Sequence, residues 1–254
     1  MKLTKKIYLF ANWKMYLNEK ESLALSKVLA KKFTRRQNNL ELAIFPDALS
    51  WGAVRGEVKK TGIKLGAQNA YWVEKGGYTG ETSFAMYKSS GASYVLIGHS
   101  ERRHVFHETN HDTGQKMTAA LVAGLTPILC VGETLREKNE GKAEEAVEAQ
   151  LRAALDNLDF PSSRPLIVAY EPVWSVGTGE ACGAVEAEAF RVRISAWVKA
   201  LCPKLIPVIL YGGSVRSENV LEYLNQAHFD GVLVGGASTK ADSWLKIIAA
   251  AQEN

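Results

Sequence analysis

The sequence predicts a single-domain α/β protein, a closed barrel of eight parallel strands alternating with helices. Three observations predict it. Short apolar runs recur eight times along the 254 residues. The runs are near-continuously apolar rather than alternating, as parallel strands covered on both faces require. Stretches of helical periodicity lie between them, and this alternation over about 250 residues is the count of a (β/α)8 barrel. A doubly wound open sheet would usually carry a G-x-G-x-x-G turn after its first strand, and none follows residues 7–11. No linker or low-complexity stretch divides the chain, so residues 1–254 read as one domain.

The elements follow in order. The first strand, 7–11, ends in Asn12-Trp13-Lys14. Residues 19–33 then place Leu23, Leu25, Val28, Leu29 and Phe33 at helical spacing. The second strand is 40–45, and the third, 63–67, ends in Gln68-Asn69. The fourth, 94–98, runs into His99-Ser100-Glu101-Arg102-Arg103, and the fifth, 127–131, into Gly132-Glu133. A helix over 142–158 carries Ala146, Val147, Leu151, Leu155 and Leu158 on one face and charges on the other. The sixth strand, 166–170, delivers Glu171, and a helix over 184–201 follows. The seventh, 207–211, ends in Gly212-Gly213-Ser214, with a helix over 217–226 behind it. The eighth, 231–234, ends in Gly235-Gly236, and a helix over 241–251 follows it.

Composition narrows the function. Hydrophobic residues are 46% and charged residues 23%, ordinary for a globular protein. A formal charge of +4 with no run of five like charges does not indicate nucleic acid. The tryptophans are too scattered for a base-stacking platform. Cys130, Cys182 and Cys202 form no CxxC pair and leave an odd count, which fits a reducing cytosol and a cytoplasmic protein. Lys2, Lys5 and Lys6 precede an apolar stretch too short for a signal-peptide core. No apolar run approaches the ~20 residues of a membrane helix.

Barrel chemistry sits at the C-terminal ends of the strands. Asn12, Lys14, His99 and Glu171 therefore converge on one face, with two glycine pairs on the last two strands. Glycine lets backbone approach a ligand, and exposed N–H groups at a helix start attract anions. Glu171 leaves its strand into Pro172 and a loop tipped by Gly177-Thr178-Gly179. Proline biases the preceding residue away from the helical region and helps hold the carboxylate in one pose. Such a carboxylate is placed to act as a base under a lid. Taken singly, each feature also reads as structure: a strand-to-helix turn, a solvated lysine, a satisfied histidine, tight glycine turns. Their joint placement favours a site. A second constellation, His104, His107 and His111 with Glu108 between them, has spacings that would share one helix face and could hold zinc. No cysteine or strand end joins it, and Arg102 and Arg103 lie close, so a polar helix face is the favoured reading.

Beyond these single residues, the chain resembles the triosephosphate isomerase family over essentially its whole length. The matching segments are 11–15 (Ala-Asn-Trp-Lys-Met), 66–69 (Gly-Ala-Gln-Asn), 78–81 (Tyr-Thr-Gly-Glu), 97–103 (Ile-Gly-His-Ser-Glu-Arg-Arg), 130–134 (Cys-Val-Gly-Glu-Thr), 169–179, 211–215 (Tyr-Gly-Gly-Ser-Val) and 233–238 (Leu-Val-Gly-Gly-Ala-Ser). The resemblance implies interconversion of dihydroxyacetone phosphate and D-glyceraldehyde 3-phosphate, a step of glycolysis and gluconeogenesis, without metal or cofactor. It implies Glu171 as base, neutral His99 as electrophile and proton shuttle, and Lys14 and Asn12 as stabilisers of an enediolate. Glu101 then supports Lys14. Backbone N–H groups of Gly177, Ser214, Gly235 and Gly236 hold the phosphate, and 172–182 forms a lid.

The same resemblance implies a homodimer. The stretch 71–84 is long for a barrel loop and carries Tyr71, Trp72, Val73, Tyr78 and Phe84. In the family this loop inserts into a neighbouring subunit beside the residues matching Asn12 and Lys14. Departures from the family pattern include Ile44-Phe45-Pro46-Asp47 after the second strand, Phe84, Tyr16 where Asn is common and His107 where Gly is usual. Asn110 and His111 replace an acidic pair, and Glu180-Ala181-Cys182 replaces Lys-Thr-Ala at the lid's second hinge. Ser195 stands where relatives carry an arginine that pairs with the residue matching Asp230, which makes Arg191 or Arg193 its expected replacement. None of these is among the expected reacting residues.

Overall fold

A computed structural model describes residues 6–34, 39–156, 158–161, 163–176 and 181–252. Eight strands close a parallel barrel in sequence order: β1 Ile7–Asn12, β2 Leu40–Phe45, β3 Lys64–Ala67, β4 Tyr94–Ile97, β5 Thr126–Val131, β6 Ile167–Tyr170, β7 Val208–Tyr211 and β8 Gly231–Val234. Closure is made by β1 against β8, with Tyr8 opposite Gly231 and Ala11 opposite Val234. Helices α1 Glu19–Lys32, α2 Trp51–Val58, α3 Phe84–Ser89, α4 Ser100–His104, α5 Asn110–Val122, α6 Leu135–Asn139, α7 Ala143–Leu155, α8 Ala184–Leu201 and α9 Ala241–Gln252 lie between and after the strands.

The strands read as apolar throughout because both faces are buried. Along β1, Tyr8 and Phe10 point into the barrel lumen with Phe45, Tyr94, Leu96, Ile128, Ile167 and Leu210. Ile7, Leu9 and Ala11 point outward into a continuous layer shared with the helices. Capping marks where several helices begin. Asn18 with Glu21, Thr109 with Asp112 and Thr134 with Glu137 each form a reciprocal capping box.

Three expectations are corrected. The helix expected over 142–158 ends at Leu155, where Asp156 turns extended. The one expected over 217–226 is not a regular α-helix. Residues Glu222–Gln226 form a wider π-helical turn in which the Ala227 N–H reaches the Glu222 carbonyl at 2.9 Å. The wider turn accompanies a flat stack of Tyr223 on Tyr211, with ring centroids 3.7 Å apart. Finally, His104 closes α4, His111 lies in α5 and His107 sits between them, so the three do not share one helix face. Glu108 is instead buried and occupied by Lys116 at 2.5 Å and Arg102 at 3.2 Å. Among the described residues no group of three or more His, Cys, Asp or Glu could hold a metal ion.

His107 occupies the left-handed region, with φ 56°, and its side chain is exposed. That conformation costs a non-glycine residue about 1–2 kcal/mol, whereas glycine's extra chain entropy costs about 0.5–1 kcal/mol. His107→Gly is therefore expected to stabilise the fold by about 0.5–1 kcal/mol, read as a raised urea midpoint. A lowered midpoint would show that the histidine ring supplies more than its backbone costs.

At the expected arginine replacement, Arg191 is the one that feels Asp230, whose charge holds the guanidinium further above its usual value after the hydrogen bond to Glu188. Arg193 pairs with Glu144 on a neighbouring helix instead.

Candidate active site

The C-terminal ends of the strands surround a cleft of about 250 Å³ lined by Asn12, Lys14, His99, Glu171 and the glycine-rich turns after β7 and β8. Asn12, the last residue of β1, accepts the Lys14 N–H on its side-chain oxygen at 3.1 Å. Lys14 has φ 49°, a strained backbone for a lysine. Gln68, just after β3, holds that backbone in place. Its amide donates to the carbonyls of Lys14 at 2.8 Å and Phe45 at 2.9 Å. The Lys14 ammonium then lies 2.7 Å from Glu101 Oε1. The lysine side chain is 12% exposed, so its charge faces the cleft beside a carboxylate that is 45% exposed.

His99 precedes α4, and the helix fixes its protonation pattern. The backbone N–H of Glu101 donates to His99 Nδ1 at 3.2 Å. In that arrangement Nδ1 is an acceptor, which leaves Nε2 as the ring's donor. That nitrogen is 3.5 Å from Glu171 Oε1. Gly98, with φ 69°, is gripped from two sides: its N–H donates to Glu108 and its carbonyl accepts from Arg103 Nε at 2.7 Å.

Glu171 is 1% exposed. Its Oε2 accepts the N–H of Ser100 at 2.9 Å. Its Oε1 is buried and has no hydrogen-bond partner among the described residues. Two glycines make room for it. A Cβ on Gly132 would stand 1.8 Å from the Glu171 carbonyl oxygen, and one on Gly212 would stand 2.7 Å from its Cγ. Below lies Cys130, whose thiol is pushed well up by burial and then by the Glu171 carboxylate, so it stays protonated.

The other end of the cleft is backbone. Ser214, Gly235 and Gly236 line it, and Gly236 opens a short helical turn, Gly236–Thr239. Gly235 lies against Lys14: a Cβ there would be 3.2 Å from the lysine Cε. Tyr16 stands at the mouth, 59% exposed, with its ring 3.9 Å from where a Gly236 Cβ would be. Gly177, the remaining expected phosphate ligand, lies outside the described residues, as does the 177–180 tip of the expected lid.

Asn12, Lys14, His99, Glu101, Glu171, Ser214, Gly235 and Gly236 thus meet at one end of the barrel. Sequence reasoning missed their holders. Gln68 and Glu133 were visible only as polar residues at strand ends, and Ser100 acts through its backbone. Glu133, buried after β5, accepts from the Trp174 indole at 2.7 Å and the Tyr170 hydroxyl at 3.2 Å. Burial raises its carboxyl above the usual range, and those donors pull the other way.

A buried carboxylate with one oxygen free, an imidazole, an ammonium and a glycine-rich rim, gathered at the C-terminal ends of the strands, define the class as a barrel enzyme. The family model for triosephosphate isomerase matches residues 7–251. A triosephosphate isomerase of Picosynechococcus sp. is 39% identical over 244 residues, covering 96% of this chain and 98% of that protein. That of Herpetosiphon aurantiacus is 41% identical over 243 residues, covering 94% and 97%. That of Acidithiobacillus ferrooxidans is 40% identical over 244 residues, covering 95% of each. The chain belongs to the triosephosphate isomerase family and is an isomerase.

Proposed function

We propose that Glu171, His99, Lys14 and Asn12 carry out the family's reaction in this chain, the interconversion of dihydroxyacetone phosphate and D-glyceraldehyde 3-phosphate. The observation that carries the reading is the free Glu171 Oε1, buried and 3.5 Å from His99 Nε2. A proton on carbon next to a carbonyl must move to the adjacent carbon. Glu171 takes it from one carbon and returns it to the other. His99 Nε2–H donates to the substrate oxygen as negative charge develops there, and shuttles a proton between the two oxygens. Lys14 and Asn12 stabilise the enediolate as preorganised donors do at an oxyanion. Glu101 anchors the lysine, and the N–H groups of Ser214, Gly235, Gly236 and Gly177 take the phosphate.

Residues 172–182 serve as a lid in this reading. Closing it excludes water, which protects the enediolate from losing phosphate. The reaction needs no metal or cofactor, residues 1–254 act as one barrel unit, and the odd cysteine count supports a cytoplasmic setting. No helix among the described residues is long and apolar enough to cross a membrane. A coupled assay of glyceraldehyde 3-phosphate isomerisation by the purified chain, made in a host lacking its own enzyme, tests the whole reading. Lack of turnover would end it.

We also propose a two-fold homodimer through residues 71–84. Tyr71 stacks on Trp72 at 4.2 Å and packs on Tyr78 at 4.8 Å, which gives the projection a compact aromatic base. Phe84 is not part of its outer surface: it is 2% exposed and starts α3 in the core. A depression of about 450 Å³ beside Lys14 and Glu101 is lined by Met15, Gln68, Thr82 and Phe106. Met15, Phe106 and Val105 are 95%, 61% and 63% exposed, an apolar rim that a second copy would cover. The neighbour's loop seated there would brace Lys14. Deleting residues 74–79 is expected to give monomers with about 10²-fold lower activity, the scale of a small misplacement of catalytic groups. Sedimentation of the intact protein as a fully active monomer at micromolar concentration would sink the dimer.

A further inference from the structure

After β1 the chain reverses in a tight turn over residues 13–16. The Tyr16 N–H donates to the Trp13 carbonyl at 3.2 Å and closes it. Lys14, at φ 49°, holds the first central position, where turns of the primed types need a positive φ. The turn is anchored on either side, since Trp13 is buried and Leu17 packs against the core. Gln68 fixes its middle through the Lys14 carbonyl. Tyr16 therefore has a fixed backbone although its ring is exposed. Consecutive residues of this turn serve different depressions. Met15 lines the one beside Glu101 that a second copy would cover, and Tyr16 lines the cleft of His99 and Glu171.

The same turn covers both glycines of the rim after β8. The Lys14 stem lies against Gly235 and the Tyr16 ring edge against Gly236, at 3.2 Å and 3.9 Å from where their Cβ atoms would stand. A phosphomonoester held at this rim points its ester oxygen inward, toward the carbons that face Glu171 and His99. Any further group on the phosphorus must leave by one of the outer oxygens, toward the mouth where Tyr16 meets Gly236. Charge would not turn such a group away, because Lys14 and Arg216 both line the cleft. Refusal has to come from shape, the usual means of discriminating against a larger competitor of the same charge type.

We propose that Tyr16 is a specificity-determining residue of the cleft: its ring walls off the space beyond Gly235 and Gly236, so that the site takes a terminal phosphomonoester and refuses a diphosphate or a phosphodiester. The proposal rests on the reading of that rim as the phosphate end. The ring acts as a wall and not as a donor, since its hydroxyl has no hydrogen-bond partner among the described residues. The fixed backbone of the turn keeps the ring over the rim at little cost in chain entropy when the cleft fills.

Calorimetric titration with inorganic phosphate and inorganic pyrophosphate, in magnesium-free buffer, tests it on the intact chain, Tyr16→Ala and Tyr16→Phe. Heats recorded with the cleft blocked by 2-phosphoglycolate are subtracted. The wild type is expected to bind phosphate more tightly than pyrophosphate. In Tyr16→Ala the ratio of the pyrophosphate Kd to the phosphate Kd is expected to fall about tenfold, the low end of what a pocket wall contributes to discrimination. In Tyr16→Phe, which keeps the ring, the ratio should stay within twofold. An unchanged ratio in Tyr16→Ala overturns the proposal, and so does a Tyr16→Phe that moves as far as the alanine variant. Loss of a merely structural prop would weaken both anions together and leave the ratio fixed, which also counts against the wall. Should Tyr16→Ala be insoluble, Tyr16→Asn, short and polar, carries the same expectation. A wild type in which 2-phosphoglycolate displaces no phosphate would sink the phosphate reading of the rim, and the wall with it. Turnover of triose phosphate, assayed in parallel, tests Glu171 and His99 separately.

Discussion

Replacing Glu171 by glutamine is expected to lower kcat at least ~10³-fold, the scale of a positioned acid–base group, while fold and phosphate binding stay nearly intact. The side chain keeps its shape, and an amide oxygen can still accept the Ser100 N–H that now meets Oε2 at 2.9 Å. The glycines at 132 and 212 that leave space for it are untouched. What is lost is the proton acceptor, because an amide has no useful basicity near neutral pH. Steady-state kinetics on protein purified from a host lacking the enzyme, with 2-phosphoglycolate titration alongside, measures both halves. Near-normal turnover would remove Glu171 from the mechanism.

Lys14→Met is expected to cost about 10²–10³-fold in kcat, as for loss of one donor to a developing oxyanion. It should also weaken phosphate-bearing inhibitors, since a partly buried cation facing an anion disappears. Structure is not expected to follow activity down. The backbone at residue 14 is held by Gln68 and Asn12, not by the ammonium. The orphaned Glu101 is 45% exposed and can be solvated. Added divalent metal should not restore the variant, and a chelator should not inhibit the wild type. Activity lost on chelation and regained with zinc would contradict a metal-free reaction.

Much of the barrel was legible because strand burial on both faces leaves a local mark. Runs such as 40–45 and 231–234 coincide with β2 and β8, and 184–201 coincides with α8. Helices α2 to α5 left weaker marks. They are short or, like α2 with Gly52 and Gly56 and α5 with Gly114, interrupted by residues that blur the 3.6 period. Gly114 is there for packing: a Cβ would stand 2.6 Å from the Ala153 carbonyl oxygen in α7. The π-helical turn at Glu222–Gln226 was illegible for a similar reason. Its residues suit a regular helix, and it coincides with the stack of Tyr223 on Tyr211, a contact between separate elements.

The histidine run shows the opposite error. Spacings of three and four mark one face only if the helix is unbroken, and here α4 ends at His104 before α5 begins at Asn110. Glu108, between them in sequence, is drawn inward by Lys116, whose own charge is disfavoured by burial and restored by that carboxylate.

By itself the sequence determined which residues stand at the strand ends, because strand length, the turn residues and the side-chain period are local properties. It therefore determined the membership of the cleft: Asn12, Lys14, His99, Glu171 and the glycine pairs. Only the tertiary structure decided how they are held. Lys14 meets Glu101 across 87 positions, Ser100 meets Glu171 across 71, and Tyr223 meets Cys182 across 41. Such partners come together only once the barrel closes β8 on β1. The tautomer of His99 and the free oxygen of Glu171 depend on contacts at hydrogen-bond distance, which no periodicity in the chain records.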